Sequence, residues 1–401
     1  MIECPLLKKC KEDGISDKKR KEVKKMKKRT LALVMAGTMV MGLTACGGAA
    51  SSSTAASGDK AASDATSSAA STVASAAAST ATDGAKIKIG YSYPSANNEF
   101  WGTNTVNCVK QAAEACGFDV VIDDCNYDQA EQVTDVESMI SMGIDALVLA
   151  PQDASVCAGI TASCKSAGIP VVIIDRWPGD DLKAGDDYVC FIGPDDEKAG
   201  YDIAMSLIDA GCKKLIGMGG TEGTSVAEGR HAGFEKALEE HPEVQMVQYE
   251  WVGDSMDDGD AGFRNISQAQ SDFDGVWCYN DSLALATVNV LKEESKISEV
   301  KVAGMDLLSP SIESMQAKEL WSSTGGHYMQ AGFAAIIAYD VANGIAYDGD
   351  AEVRLSLLSA NQDTVGAFVE QYVNSDEVFD WASVCKTLNP DNKYDFTLTL
   401  K

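Results

Sequence analysis

Residues 145–176, DALVLAPQDASVCAGITASCKSAGIPVVIIDR, contain the pattern that decides the fold. Two short, mostly apolar runs, residues 145–150 and 171–175, flank a segment with helical periodicity, residues 154–167. Neither run alternates between apolar and polar residues, which is typical of a parallel sheet covered by helices on both faces. The order strand, helix, strand therefore predicts a βαβ unit.

The same alternation extends along the chain in both directions. After Gly193 and Pro194 the rhythm restarts, so we predict an α/β fold of two tandem doubly wound parallel-sheet lobes. Ligands of such open sheets bind beyond the carboxyl ends of the strands. The further strands are predicted at residues 87–91, 118–123, 214–218, 246–251, 275–279 and 300–306.

The residues before the folded body predict export. Residues 1–25 carry nine Lys or Arg, and we interpret them as a start-site artefact, with the true start at Met26. Residues 26–45 combine basic residues, an apolar run and a small-residue cleavage site, the layout of a secretory signal peptide. The apolar run is shorter than the ~20 residues that a membrane-spanning helix needs. The site ends at Cys46 and so resembles a bacterial lipoprotein signal, which implies lipidation of Cys46.

Composition describes the linker and excludes several partners. Residues 46–85 are almost entirely Ala, Ser, Thr and Gly, which predicts a disordered tether. The formal net charge of −27 disfavours nucleic acid and anionic substrates, and it disfavours electrostatic adhesion to an anionic membrane. A nucleic-acid-binding arm at residues 1–25 is the weaker alternative, because an exported protein meets little nucleic acid. The lipid is therefore the expected anchor.

Cysteine and histidine usage argues against a metal site. Nine cysteines follow Cys46, no CxxC pair occurs, and the chain has three histidines. Zinc sites need tighter Cys pairs with His partners. We predict buried thiols in preference to disulfides, and neither a metal nor a cofactor.

Polar and aromatic residues recur where the predicted strands end. Carboxylate and amide oxygens accept hydrogen bonds from vicinal hydroxyls, a guanidinium donates in a fork, and aromatic faces stack on sugar rings. Two carboxylates against two arginines leave such a site near neutral, which favours a neutral polyhydroxy ligand. The candidates are Asn98, Phe100, Trp101, Asp175, Arg176, Arg230, Asn280, Asp306 and His327.

Ordinary explanations exist for each signal. Asn98 or Asp281 could cap a helix, and Asp175 and Arg176 could form surface ion pairs. The glycine-rich residues 217–223 lack the GxGxxG spacing of dinucleotide loops. The acidic residues 254–260 lack the ligand pattern of a calcium loop. No nucleophile and base are paired in the sequence, so we predict that the protein is not an enzyme.

Taken in order, several segments resemble the periplasmic sugar-binding proteins of the ribose-binding type, the type 1 solute receptors of ABC importers. The similarity covers roughly residues 86–360, and its order and spacing are more specific than any one motif. Its carriers are Asn97-Asn98-x-Phe100-Trp101, Asp145 to Asp153, Ile169-Pro170 before Asp175-Arg176, Gly223-Thr224-Ser225 with Arg230, Tyr279-Asn280-Asp281 and Gly304-Met305-Asp306.

This resemblance implies three crossings between the lobes, near Pro194, Gly325 and Ser359. The first lobe would then be residues 86–194 plus 326–358, and the second residues 195–325 plus 359–401. The candidate polar residues would bind sugar hydroxyls, with Phe100 and Trp101 as one stacking wall. This chain departs from the family with Met256 in place of a second-lobe aromatic wall, and with Gly326 beside His327 in place of a glutamine. These changes put ribose itself in doubt.

These features predict an extracytoplasmic lipoprotein, a monomer on the outer face of the cell membrane, in the cell envelope or periplasm. It would capture a neutral monosaccharide or related polyol and deliver it to the permease of an ABC importer. A sensor presenting a sugar or furanosyl signal to a membrane receptor is the alternative within the same class. A lactose-repressor-type regulator shares the two lobes, but the export signal occupies the place of its DNA-binding segment.

Overall fold

The computed structural model describes residues 86–374 and 378–400. The signal peptide, Cys46 and the linker predicted from the sequence lie outside these residues. Within the part of the chain that is described, no helix has the length and apolar character needed to span a bilayer.

The described residues form alternating strands and helices. In chain order, the strands are β1 (Lys88–Tyr93), β2 (Asp119–Asp124), β3 (Ala146–Leu149), β4 (Val171–Ile174), β5 (Phe191–Pro194), β6 (Lys214–Gly219), β7 (Gln245–Trp251), β8 (Gly275–Cys278), β9 (Lys301–Asp306), β10 (Ser322–Gly325), β11 (Glu352–Leu355) and β12 (Leu358–Asn361). The α-helices are α1 (Val106–Cys116), α2 (Gln129–Ser141), α3 (Cys157–Ala167), α4 (Asp196–Asp209), α5 (Ser225–Glu240), α6 (Met256–Ala269), α7 (Asp281–Glu293), α8 (Ser309–Gln316), α9 (Gln330–Ala342) and α10 (Val365–Phe368). A π-helical turn, Glu99–Thr105, runs directly into α1.

Two six-stranded sheets divide the body into two lobes. The first has the order β2-β1-β3-β4-β5-β11, and its neighbouring strands are parallel. The second has the order β7-β6-β8-β9-β10-β12, in which β12 alone runs antiparallel to its neighbour. The predicted α/β fold of two parallel-sheet lobes is therefore confirmed.

The central strands form because their side chains are buried on both faces. β3, β4 and β8 are buried along their whole length, as their unbroken apolar sequences require. Side-chain caps set the start of several helices: the Asp128 carboxylate accepts hydrogen bonds at the start of α2, and Ser255 with Asp258 forms a capping box on α6.

The chain passes between the lobes at three places. It leaves the first sheet after β5 and enters α4, which packs on β8, β9 and β10 of the second. It returns after β10 to α9, which packs on α1, β3 and β4. The third passage lies at Ser356 and Leu357, between β11 in one sheet and β12 in the other. Three adjacent passages make a hinge.

Glycine lets α4 and α5 approach closely in the second lobe. A Cβ atom at Gly200 would lie 1.9 Å from the carbonyl oxygen of Arg230, and one at Gly233 would lie 1.8 Å from that of Glu197. A larger residue at either position would therefore push the helices apart. This contact sets the position of Arg230 relative to the start of α4.

The last described segment, residues 378–400, is called here the C-terminal extension. The family resemblance implies that residues 359–401 belong to the second lobe, and α10 does pack there, on α8 and β12. The turn Trp381–Val384, in contrast, packs on α1 and α9 of the first lobe. The reason is that α9 is apolar on nearly every side, so its face away from the sheet needs a cover. Trp381, 5.4 Å from the Phe333 ring, supplies it.

Candidate ligand-binding site

A cavity of about 470 Å³ lies where the carboxyl ends of strands from both lobes face one another. We call it the interlobe cavity. All ten residues that the sequence nominates for ligand binding line it: Asn98, Phe100, Trp101, Asp175, Arg176, Arg230, Met256, Asn280, Asp306 and His327. Their contact with a ligand remains a prediction.

The first lobe contributes an aromatic wall. The Asn98 carboxamide oxygen accepts a hydrogen bond from the Trp101 backbone N–H at 3.3 Å, and this cap starts the π-helical turn. Phe100 and Trp101 are both buried and meet edge to face with ring centroids 4.9 Å apart. His327 approaches Phe100 at 4.6 Å. Asn98 therefore has the capping role that the sequence offered as its alternative, and it also faces the cavity.

Asp175 and Arg176 follow β4 directly. Asp175 takes a left-handed backbone conformation, with φ of 70°, and its Oδ1 accepts a hydrogen bond from Nε2 of Gln330 at 2.8 Å. Arg176 Nη1 donates to the backbone carbonyls of Pro151, at 3.4 Å, and Gln152. Both side chains are thus oriented by the first lobe before a ligand enters.

Arg230 of α5 is held inside the second lobe. Its Nε donates to Asp196 Oδ1 at 3.0 Å, its Nη1 donates to the Tyr279 carbonyl at 3.0 Å, and its guanidinium lies 4.5 Å from the centroid of the Tyr279 ring. Burial raises the pKa of Asp196 to about 7, although Arg230 opposes that shift. Burial alone would lower the Arg230 pKa, but Tyr279 and Asp196 outweigh it and raise the pKa. The guanidinium therefore stays charged.

Asn280 and Met256 occupy the second-lobe side of the cavity. The Asn280 Oδ1 accepts from the Leu283 N–H at 2.9 Å and caps α7, while its Nδ2 donates to the Asp254 carbonyl at 2.9 Å. This pair of bonds ties the loop at Asp254 to the end of β8. Met256 begins α6 and is 43% exposed, so it lies at the rim of the cavity.

Asp306 and His327 form a second buried polar pair in the cavity lining. Burial, and then the charge of Asp281, raise the pKa of Asp306 well above its ordinary value. Burial lowers the pKa of His327 well below its ordinary value, so the imidazole is neutral. His327 Nε2 lies 3.7 Å from Asp306 Oδ1. Its Nδ1 is buried without a hydrogen-bond partner among the described residues, on a residue that lines the cavity.

Other residues that line the cavity were not nominated from the sequence. Tyr127 lies in the turn after β2, with φ of 62°, and lines the cavity. Because it follows a strand end, it could have been nominated from its position in the sequence. Asp254 adds a third carboxylate to the lining. The remaining ones are Asn97, Gln152, Val226, Ser255, Tyr279 and Ser282. Among the described residues, no three His, Cys, Asp or Glu side chains are placed to hold a metal ion.

Comparisons with known proteins agree with this architecture. A family model described as a periplasmic binding protein domain matches residues 89–346. The ribose import binding protein of Bacillus subtilis is 27% identical over 237 residues, which are 59% of this chain and 74% of the relative. The D-xylose-binding periplasmic protein of Escherichia coli is 27% identical over 276 residues, 66% of this chain and 81% of the relative.

Solved structures show the same fold. An ABC transporter solute binding protein from Mycobacterium smegmatis, with bound glycerol, superposes with a TM-score of 0.63 at 25% identity, over 74% of this chain and 99% of that one. A periplasmic sugar-binding protein from Pseudomonas fluorescens gives a TM-score of 0.68 at 20% identity, over 78% of this chain and 98% of that one.

Proposed function

The chain belongs to the periplasmic binding protein family, and from this premise we propose that it is an extracytoplasmic receptor for a neutral monosaccharide or related polyol. The observation that carries the proposal is the interlobe cavity, in which donors, acceptors and an aromatic wall converge from both lobes. Its volume of about 470 Å³ lies in the ~300–1,000 Å³ range of small-molecule sites.

The chemistry of the lining suits hydroxyl groups. Each hydroxyl both donates and accepts, and the cavity offers the Asp175 carboxylate as an acceptor and the Arg176 guanidinium as a donor. His327 Nδ1, buried without a partner among the described residues, adds a further polar contact. Phe100 and Trp101 supply an apolar face for a sugar ring. The relatives named for ribose and xylose support this ligand class.

A neutral ligand fits the charges better than an anionic one. Arg230 is already paired with Asp196 at 3.0 Å, so only part of its charge is left for a ligand. Asp175 and Asp254 add negative charge at the lining, and the whole chain carries a formal charge of −27. A phosphorylated sugar would meet repulsion without a cationic surplus to offset it.

The proposed cycle uses the hinge between the lobes. A sugar that contacts both walls stabilises the closed form, and closure occurs about the three passages near Pro194, Gly326 and Ser356. The closed receptor then delivers the sugar to the permease of an ABC importer. The predicted lipid on Cys46 holds it at the outer face of the membrane. Binding and release, with no chemical change in the sugar, complete the function.

A thermal-shift screen tests the proposal. The full-length protein is heated with pentoses, hexoses and inositols, and with amino acids, nucleosides and glucose 6-phosphate as comparison ligands. A neutral sugar present at 100 times its Kd adds ~2.7 kcal/mol of stability, or ~4 °C for a body of ~300 residues. Stabilisation by an amino acid or a nucleoside, with no effect from any neutral sugar, would show that the ligand class is wrong.

A further inference from the structure

A carboxylate stands behind the second-lobe wall of the interlobe cavity. Asp281 is the first residue of α7 and follows Asn280, which lines the cavity. Asp281 itself lies behind that lining and is fully buried. A buried carboxylate is costly unless other groups donate hydrogen bonds to it, so its partners show what it holds.

Both oxygens of Asp281 hold the turn that follows β9. Oδ2 accepts a hydrogen bond from the Leu308 backbone N–H at 3.0 Å. Oδ1 accepts from the Ser323 hydroxyl at 2.8 Å, and the oxygen of that hydroxyl accepts in turn from the Leu307 backbone N–H at 3.0 Å. The carboxylate therefore fixes the two residues that follow Asp306, one directly and one through β10.

The turn needs such support because its backbone is strained. Asp306 and Leu307 have φ of 127° and 57°, a region that residues other than glycine rarely adopt. Strained backbone of this kind persists only where its surroundings over-determine it. The same strand leaves space for the carboxylate, since a Cβ atom at Gly304 would lie 2.7 Å from Asp281 Oδ1.

Charge links the two aspartates as well. Asp281 lies at the N-terminus of α7, where the helix dipole favours a negative charge. Burial raises its pKa, and the hydrogen bonds from Leu308 and Ser323 oppose that rise. Burial, and then the charge of Asp281, raise the pKa of Asp306. A change at Asp281 should therefore be detectable at Asp306.

We propose that Asp281 is a positioning residue of the interlobe cavity. It holds Leu307 and Leu308, and through them it sets the direction of the Asp306 carboxylate, which lines the cavity and lies 3.7 Å from His327 Nε2. The proposal rests on the proposed function, in which Asp306 contacts a sugar hydroxyl. Asp281 acts through Asp306 and does not touch the sugar.

Three substitutions separate positioning from general stability. Asp281→Ala removes both acceptors. Asp281→Asn retains the geometry, because its amide oxygen accepts from Leu308 and its amide nitrogen donates to the Ser323 hydroxyl oxygen. Leu291→Ala is the matched control: Leu291 is a fully buried residue of α7, ten residues and ~15 Å further along the helix. It should destabilise the lobe without reaching the turn.

The first readout needs no sugar. In the full-length protein labelled with isotope-enriched aspartate, the Asp306 carboxyl signal is assigned by its loss in Asp306→Asn and followed by NMR through a pH titration. Asp281→Asn should lower the pKa of Asp306, because the neighbouring charge is removed. Leu291→Ala should leave that pKa unchanged. An unchanged pKa of Asp306 in Asp281→Asn would overturn the proposal.

The second readout is calorimetry with the sugar that the thermal-shift screen selects. Asp281→Ala should weaken binding at least ~10-fold, whereas Asp281→Asn should stay within ~3-fold of wild type. Leu291→Ala should melt at a lower temperature and bind as wild type does. Unchanged binding by Asp281→Ala, or an equal loss in Leu291→Ala, would overturn the proposal.

Two provisions keep the test decisive. If Asp281→Ala does not fold, Ser323→Ala replaces it, since this variant frees the Leu307 N–H alone and should weaken binding by ~3-fold or more. If the screen selects no neutral sugar, the proposed function fails, and the NMR titration still decides whether Asp281 acts on Asp306.

Discussion

Replacement of Arg230 by Met tests whether the buried ion pair with Asp196 stabilises the second lobe. The side chain of Arg230 is 4% exposed and that of Asp196 is 11% exposed, so the variant buries a carboxyl group without its partner. Removing one member of a buried pair costs ~3–5 kcal/mol. For a body of ~300 residues the entropy of unfolding is ~0.6 kcal/mol per kelvin, so the unliganded melting temperature should fall by ~6 °C.

The loss should depend on pH. Burial already raises the pKa of Asp196 to about 7 with Arg230 present, and without the guanidinium that pKa rises further. A raised carboxyl pKa makes the folded state bind more protons than the unfolded state, so the variant regains stability as pH falls. The deficit should therefore be larger at pH 8 than at pH 5.5.

Urea unfolding of the unliganded protein at both pH values measures the deficit. Adding Asp196→Asn to the Arg230→Met variant should recover part of the loss, because a neutral amide is cheaper to bury than a carboxylate. The control is Arg264→Met, which removes exposed ion pairs with Asp260 and Glu293 and should change stability little, because water and salt screen such pairs. An Arg230→Met variant within ~1 kcal/mol of wild type at pH 8 would refute the reasoning.

Three further substitutions test other parts of the structure. Asp175→Asn should weaken binding of the selected sugar by at least ~10-fold in calorimetry, because a charge-assisted hydrogen bond is lost. The melting temperature of the unliganded protein should not change, since the amide oxygen still accepts from Gln330. A large drop in that temperature would mark Asp175 as structural. Burial lowers the pKa of His327, so this residue alone should cost the wild type up to ~1.4 kcal/mol per pH unit below ~6.5. Wild type should therefore lose stability relative to His327→Gln when urea unfolding is compared at pH 7.5 and 5.5. An unchanged difference between the two proteins would contradict the pKa direction. Gly200→Ala should lower the free energy of unfolding by ~1–3 kcal/mol, because its Cβ would lie 1.9 Å from the Arg230 carbonyl oxygen. The control is Gly159→Ala, whose Cβ would have no atom within 4 Å and which should be neutral or stabilising in thermal melts.

Most of the fold could be predicted from residue patterns. The apolar runs that became β3 and β4 are buried on both faces, so their sequences carry a strong signal. The edge strands β11 and β12 were not predicted, because they are short and partly exposed. Each is only four residues long, so its alternation of polar and apolar residues is a weak signal. The sequence also carries no sign that β12 runs antiparallel.

The place of the C-terminal extension could not be read from its own sequence. Residues 378–400 show little periodicity, and what locates them is the outer face of α9, a surface that exists only after folding. Phe333 illustrates this: its ring lies 4.4 Å from Phe396, a contact between elements remote in sequence. Tertiary contacts of this kind lie beyond pattern reasoning.

The candidate site, like the fold, could be predicted from the sequence only in part. Strand ends in an open sheet share one edge, so residues such as Asp175 and Asp306 could be nominated from position alone. Asp254, which follows the end of β7 as Tyr127 follows β2, could have been nominated in the same way. The hydrogen bond from the Asn280 side chain that holds its loop could not have been, because another strand end supplies it. The ion pair that holds Arg230 also needed the structure, since Asp196 reaches it only through the close contact of α4 and α5.

A crystal structure of the protein with the sugar selected by the screen tests the central claim most directly. We predict one neutral sugar in the interlobe cavity, with its ring against Phe100 and Trp101 and its hydroxyls bonded to Asp175, Arg176 and His327 Nδ1. Density for the sugar on an outer surface, or a charged molecule in the cavity with these side chains turned away, would contradict the account.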